Sequence, residues 1–428
     1  MEERRGKSSK TFKQKIQDFF SPVPLLGWLI AILIAVVLEH FLGDLVSDLV
    51  GLPKIPALFG VLIMLKKPLL IPSAVIYVLL MYGLPIAAIA RLGAALTNRL
   101  SAALYCLPIT FSVMVHLAVL YGILHLWSGI SAYRLLVLKL TLIAIMITLS
   151  LNVINGYMGE FSCSHPGFIA LGAYTTSAIT VTLFVNDRLF GPALLPPQLA
   201  PFMFPIALVI GGSVAAIGSL VVAIPSFRTR GDYLAIISLA FMFIVKSLVE
   251  NLEVLGGPRG LSSQPDVANL PTVFFWTVAC IWIINNFVRS ILGKALNAIR
   301  DDELAADAMT VNTRRTKIVA FMFSAFWAGV AGGLFAHVLR YINPGTFGIQ
   351  KLAEVLAMVY FGGLNSVYGS IVGAVSLSLL GEALRPLEIF KWIIIPLMLI
   401  LVMIYRPTGL IAFKEFNVRN LVKPKQQP

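Results

Sequence analysis

Long apolar runs separated by short polar, glycine-rich or proline-rich stretches dominate the chain. The runs lie at about 22–42, 69–90, 100–127, 135–158, 202–225, 233–249, 271–288, 318–339 and 387–405. Several exceed the roughly 18 to 20 residues that a helix needs to cross hydrocarbon. They are too long and too continuously apolar for barrel strands, and within lipid a helix satisfies its own backbone groups. The pattern predicts an all-α, polytopic transmembrane helical bundle of about 9–12 membrane helices, counting broken or re-entrant segments.

The interruptions carry the next layer of information. Ile55 to Leu65 is too short to span and is followed by Lys66, Lys67 and Pro68, which predicts an interfacial or re-entrant piece. Leu352 to Phe361 and Ser370 to Ala383, either side of GGLNSVYG, predict a hairpin of two short spans. Glu39 and His40, near the end of the first run, read as interfacial residues. Gly211, Gly212, Ala215, Ala216 and Ser219 form one small-residue face, and Ser324, Gly329, Gly332, Gly333 and Ala336 another, both suited to close helix packing.

Leu151 to Tyr174, LNVINGYMGEFSCSHPGFIALGAY, makes a poor continuous helix. A broken helix at membrane depth is tolerated only against protein or a water-filled cavity. Two readings stand side by side: Gly159, Ser162, His165 and Gly167 line a translocation path, or the small residues serve tight helix crossing without touching substrate.

Gly293 to Lys317, GKALNAIRDDELAADAMTVNTRRTK, is a dense cluster of charge flanked by apolar runs. Its apolar positions do not gather on one helical stripe. A break at Asp301 and Asp302 resolves this, because a short carboxylate caps the helix that follows. The second piece then carries Glu303 and Asp307 one turn apart on an acidic side, with Leu304, Ala305, Ala308 and Met309 round the other. A basic cluster, Arg314, Arg315 and Lys317, comes next. The segment reads as a short cytoplasmic elbow offering a docking surface.

Composition agrees. Of 428 residues 58% are hydrophobic and 12% charged, about half the charge of a soluble domain, and the mean hydropathy is +0.89. The formal charge of +13 reflects Lys and Arg kept in cytoplasmic loops beside anionic membrane lipid. Without a basic, aromatic-interleaved soluble domain, nucleic acid is not an expected partner. Cys106, Cys163 and Cys280 have neither disulfide nor zinc spacing. The predicted organisation is a basic cytoplasmic amino terminus (1–21), a hydrophobic extension with membrane helices (22–134), a core (135–410) holding the elbow, and a basic cytoplasmic tail (411–428).

No metal-spaced cluster, Walker motif or nucleophile elbow is present, so no catalytic residue, metal or cofactor is implied. Ion-coupled carriers usually keep charge at mid-membrane. Here Lys139, Glu160, Lys246 and Glu354 all fall near span ends. An ion-coupled carrier or channel for small polar solutes stays open as an alternative. A membrane-embedded enzyme would have only Glu160, Ser162 and His165 to work with.

IRDDELAADAM followed by VNTRRTKIVAFMFSAFWAGVAGGLFA resembles the coupling loop and next helix of LivM-type permeases, the larger permease subunits of branched-chain amino acid ABC importers. GYMGEFSCSHPGFIALGAY, FRTRGDYLAIISLAF, GGPRGLS, YINPGTF, VYFGGLNSVYGSIVGA and YRPTGL extend the likeness from about Leu140 to Leu410. The resemblance implies a multi-pass protein of the bacterial inner membrane, working with ABC ATPase subunits, a second permease and a soluble periplasmic binding protein. It implies that Arg300, Glu303, Leu304, Ala305, Ala306, Asp307 and Met309 seat in an ATPase groove. Within such a family a urea or amide importer is the alternative to an amino-acid importer. Departures from the family pattern are Glu160, Cys163, Ser164 and Phe243, and Thr310 in place of a glycine, which implies a less sharp turn after the coupling helix.

Overall fold

The computed structural model describes residues 20–53, 68–187, 190–226, 232–385, 390–406, 408–413 and 416–425. They fall into two compact units, one running up to Arg134 and resuming at Asn417, the other spanning Leu135–Phe416. Among the described residues nine helices are long and apolar enough to cross a membrane.

The first unit is built from α1 (Leu25–Leu49), α2 (Ile71–Val78), α3 (Leu84–Leu92), α4 (Ala94–Cys106) and α5 (Ile109–Gly129). A widened turn over Leu79–Gly83 carries α2 into α3 as one span. The expected single span over 100–127 is instead two helices. Pro108 has no amide hydrogen and pushes the residue before it out of the helical region, and Leu107 is accordingly extended at ψ 166°. The interfacial piece expected over Ile55 to Leu65 lies outside the described residues.

Glu39 does not face lipid or water: it is fully buried in protein. Its carboxylate takes two parallel bonds from the Arg134 guanidinium, each 2.9 Å. The hydroxyls of Tyr77 (3.1 Å) and Tyr82 donate to the same carboxylate, and Trp127 lies under the guanidinium, 5.0 Å from ring centre to Cζ. A charge this deep persists only when paired and fully hydrogen-bonded, which this arrangement supplies.

The second unit holds α6 (Ala132–Asn152) from Leu135 on, then α7 (His165–Phe184), α8 (Ala200–Gly218), α9 (Leu220–Ser226), α10 (Asp232–Asn251) and α11 (Leu270–Arg289). Two short helices, α12 (Ile291–Asp301) and α13 (Glu303–Ala308), lead into α14 (Thr313–Leu339). The expected hairpin follows as α15 (Ile349–Gly362) and α16 (Val367–Ala383), then α17 (Lys391–Tyr405). A small antiparallel pair, β1 (Leu261–Ser262) and β2 (Tyr341–Ile342), ties the glycine-rich loop to the end of α14. The short helix α18 (Val418–Val422) packs in the first unit, where Ser101 donates to the Val422 carbonyl at 3.2 Å.

The centre of the second unit is the packing of α7, α8 and α14. Their small-residue faces let backbones touch directly. A Cβ on Gly172 would lie 2.3 Å from the Cα of Gly329, so this crossing admits glycine alone.

Candidate functional site

Helix α6 does not stop cleanly. It widens over Val153–Met158 and ends at Gly159, whose left-handed backbone (φ 76°) suits a residue without a Cβ. Residues 160–164 are not helical, and α7 begins with Pro166 in its first turn. The expected break is therefore present. Two of its freed amides are met by neighbours: Ser162 N donates to Asn155 Oδ1 (3.3 Å) and Cys163 N to Ser238 Oγ (2.9 Å). Asn152 Nδ2 donates to Ser370 Oγ at 2.7 Å, tying the segment to α16.

The side chains named for a path sit inside this packing. Ser162 and His165 are fully buried. The hydroxyls of Ser162 and Ser164 are 2.8 Å apart, and His165 Nε2 is 3.2 Å from Ser324 Oγ, which itself donates to the Ser150 carbonyl at 2.6 Å. A Cβ on Gly167 would stand 2.9 Å from the Phe241 ring. Ser162, His165 and Gly167 thus make close packing contacts in this structure.

The elbow breaks where its carboxylates predict. Helix α12 buries Gly293, Leu296 and Ile299. Asp302 is extended, and its Oδ1 accepts from Leu304 N (2.9 Å) and Ala305 N (3.1 Å), capping α13. At the far end Val311 N donates to the Ala306 carbonyl (3.1 Å) and Thr310 N to the Asp307 carbonyl (3.0 Å). This helix stop normally places glycine in the left-handed position. Thr310 occupies it at φ 67°, so the turn is as sharp as a glycine would make it, and the expectation of a looser one is corrected. Asn312 caps α14 by accepting from Arg315 N at 2.9 Å.

The faces of α13 differ from the sequence reading. Ala306 points inward, while Leu304, Ala305, Asp307, Ala308 and Met309 are exposed, Leu304 by 68% and Met309 by 77%. Glu303 does not share an outward acidic face with Asp307. It turns back to Lys317, whose Nζ lies 2.9 Å from Glu303 and 2.5 Å from Glu160. Lys317, read from sequence as part of a surface basic cluster, is 97% buried at its side chain, which is only 3% exposed. Opposite charges take that side chain inward, since a buried ammonium needs partners. Burial raises the Glu160 carboxyl above its ordinary range, and the neighbouring Lys317 opposes the rise.

Arg300 completes the arrangement. Its guanidinium bonds Asp301 Oδ1 (2.8 and 3.0 Å) and lies 5.3 Å from the Phe413 ring centre. Its aliphatic stem covers Gly159, where a Cβ would come 2.3 Å from Arg300 Cγ. Elbow and broken segment thus meet at two points, Lys317 with Glu160 and Arg300 with Gly159. Spacing alone gave no sign of either contact, because the partners are far apart in the chain. Among the described residues no group of His, Cys, Asp and Glu is placed to hold a metal.

A multi-pass helical bundle that carries an exposed, capped elbow locked onto a broken membrane helix is the build of a transport permease. Residues 133–404 match the family described as branched-chain amino acid transport system / permease component. The chain belongs to that family. It is 32% identical over 307 residues to the high-affinity branched-chain amino acid transport system permease protein LivM of Escherichia coli (strain K12), covering 64% of this chain and 68% of the relative. The corresponding LivM of Salmonella typhimurium is 31% identical over the same shares. The permease protein BraD of Pseudomonas aeruginosa is 28% identical over 148 residues, 33% of this chain and 47% of that protein. No solved structure matches the chain. The protein is a multi-pass permease of the bacterial inner membrane.

Proposed function

We infer that this chain is the membrane-spanning permease subunit of an ABC importer for branched-chain amino acids, without catalytic residues of its own. ATP hydrolysis takes place in separate ATPase subunits, a second permease completes the path, and a soluble binding protein delivers the solute. The elbow faces the cytoplasm and seats in an ATPase groove. The observation that carries this reading is the pairing of exposed Leu304 and Met309 with an inner side clamped by Lys317. An apolar knob that faces water serves as a partner surface, and its anchorage relays movement to the helices. Gly159, Ser162, His165 and Gly167 act as the hinge by which α6 and α7 respond, in the manner of alternating access.

The test is a gentle-detergent pull-down scored for a co-purifying ATPase and second permease, with uptake measured in parallel. Leu304→Asp combined with Met309→Asp is expected to leave the chain in the membrane, release the ATPase and abolish uptake. Retained ATPase and uptake in that variant would remove the docking role. A wild-type chain that purifies alone and moves solute down an ion gradient would replace the importer with an ion-coupled carrier.

A further inference from the structure

A cavity of about 420 Å³ opens between α6, α14, α15, α16 and α17. That falls in the ~300–1,000 Å³ range of small-molecule sites. It lies at the opposite end of α14 from the elbow. Lys317 stands in the first turns of that helix, whereas Phe335 and Leu339 in its last turns line the cavity. At 1.5 Å per residue the two places are roughly 30 Å apart along one helix, about the thickness of a bilayer's hydrocarbon core.

The lining combines two chemistries. One is aliphatic, with Ile143 and Ile147 of α6, Leu377 of α16 and Ile395 of α17. The other carries Lys351, Glu354 and Glu382, with the Ser378 hydroxyl nearby. Lys351 Nζ is 3.1 Å from Glu354 Oε2 and 5.1 Å from the centre of the Phe335 ring. These side chains are partly shielded, Lys351 being 15% exposed, Glu382 23% and Glu354 34%.

We propose that this cavity is a recognition site for a zwitterionic α-amino acid with an aliphatic side chain, taken up by the permease itself before the path opens at the elbow end. Lys351 paired with Glu354 and, at the edge of the lining, Glu382 paired with the exposed Arg385 at 3.5 Å form two ion pairs, and a carboxylate and an ammonium held on the same carbon can exchange into them. The solute carboxylate joins Lys351, its ammonium lies between Glu354 and Glu382, and its side chain faces the isoleucines. Charge-assisted bonds in a shielded pocket fix the head group, and the apolar wall sets side-chain preference at about 0.8 kcal/mol for each buried methylene. A solute lacking either charge leaves one side of the pocket unanswered. The proposal deepens the importer reading and rests on it.

The experiment uses the intact co-purified assembly in lipid nanodiscs, without the soluble binding protein. It measures binding of radiolabelled leucine against leucinamide, which lacks the carboxylate, and 4-methylpentanoate, which lacks the ammonium. Wild type is expected to bind leucine at least tenfold more tightly than either analogue. Lys351→Met should weaken leucine at least tenfold and leave leucinamide unchanged. Glu354→Gln with Glu382→Gln should weaken leucine similarly and leave 4-methylpentanoate unchanged. Ser378→Phe should block all three. Each variant is checked for intact assembly and basal ATP hydrolysis, and leucine uptake is followed in vesicles with the binding protein added. Unchanged leucine binding in every variant, alongside normal wild-type uptake, overturns the cavity site and leaves the importer standing. No leucine uptake by wild type overturns the importer reading itself. Displacement of leucine by phosphoethanolamine would make the cavity a lipid headgroup site, and release of the second permease by Ser378→Phe with leucine binding intact would make it a subunit seam. Either result ends the proposal.

Discussion

Gly159 and Arg300 are in contact across the join between a broken membrane helix and the elbow: a Cβ on the glycine would come 2.3 Å from the arginine Cγ. The glycine also holds a left-handed backbone, φ 76°. Gly159→Ala meets both obstacles, backbone strain of about 1–3 kcal/mol and a clash with a stem that is not a free side-chain tip. It is expected to lower the thermal midpoint of the purified chain and reduce uptake. Arg300→Ala in the same chain should recover the clash component alone, read as partial recovery of the midpoint.

Lys317 holds two carboxylates from different segments. Lys317→Met leaves Glu160 and Glu303 facing each other without their cation, and removal of one partner from a buried pair costs about 3–5 kcal/mol. Uptake should fall more than tenfold. Adding Glu160→Gln and Glu303→Gln removes the unpaired charge and should restore most of the stability without restoring uptake. Full uptake in Lys317→Met would contradict the relay.

Glu160 gives the molecule a pH signature. Its carboxyl lies above the ordinary value near 4.5, with burial as the leading cause. In the window between the ordinary and the raised value the folded chain holds more protons than the unfolded one, so stability falls as pH rises. This contribution is complete below the ordinary value and lost once pH passes the folded one. A pH series of thermal melts should show that slope in wild type, and Glu160→Gln should flatten it.

Thr310 occupies a glycine position at φ 67°. Left-handed backbone is unfavourable for a β-branched residue. Thr310→Gly is expected to stabilise the chain by about 1 kcal/mol without loss of uptake, visible as a higher thermal midpoint. A lower midpoint would mean that the threonine side chain contributes more than its strain costs.

In the first unit, Glu39→Gln or Arg134→Met alone should destabilise by about 3–5 kcal/mol, whereas replacing both with apolar residues of similar volume should be close to neutral. Protease resistance of membrane-inserted chains separates the double variant from the two single ones.

Periodicity made the spans legible, and capping chemistry made the elbow legible down to Asp302, because both depend on neighbours a few residues away. That Leu151 to Tyr174 is no continuous helix was readable from its glycines and proline for the same reason. Long-range pairing was not readable. Glu39 and Arg134 are 95 residues apart, so a charge near a span end looks interfacial until its partner is seen. Lys317 looked like surface charge beside Arg314 and Arg315 for that reason. Which face of α13 turns inward was equally hidden, since Glu303 and Asp307 are equivalent by spacing and differ only in what lies opposite.

Gly172 on Gly329 leaves no side chain between the two helices at that crossing, although His165 and Ser324 meet further along. Side chains are the cushions by which packed helices slide, and with the cushion gone the crossing behaves as a rivet. Helices α7 and α14 must then tilt as one plank, with Lys317 at one end of α14 and Phe335 toward the other. A shift at the Lys317 end of α14 is then expected to be shared with α7 through the crossing at Gly329.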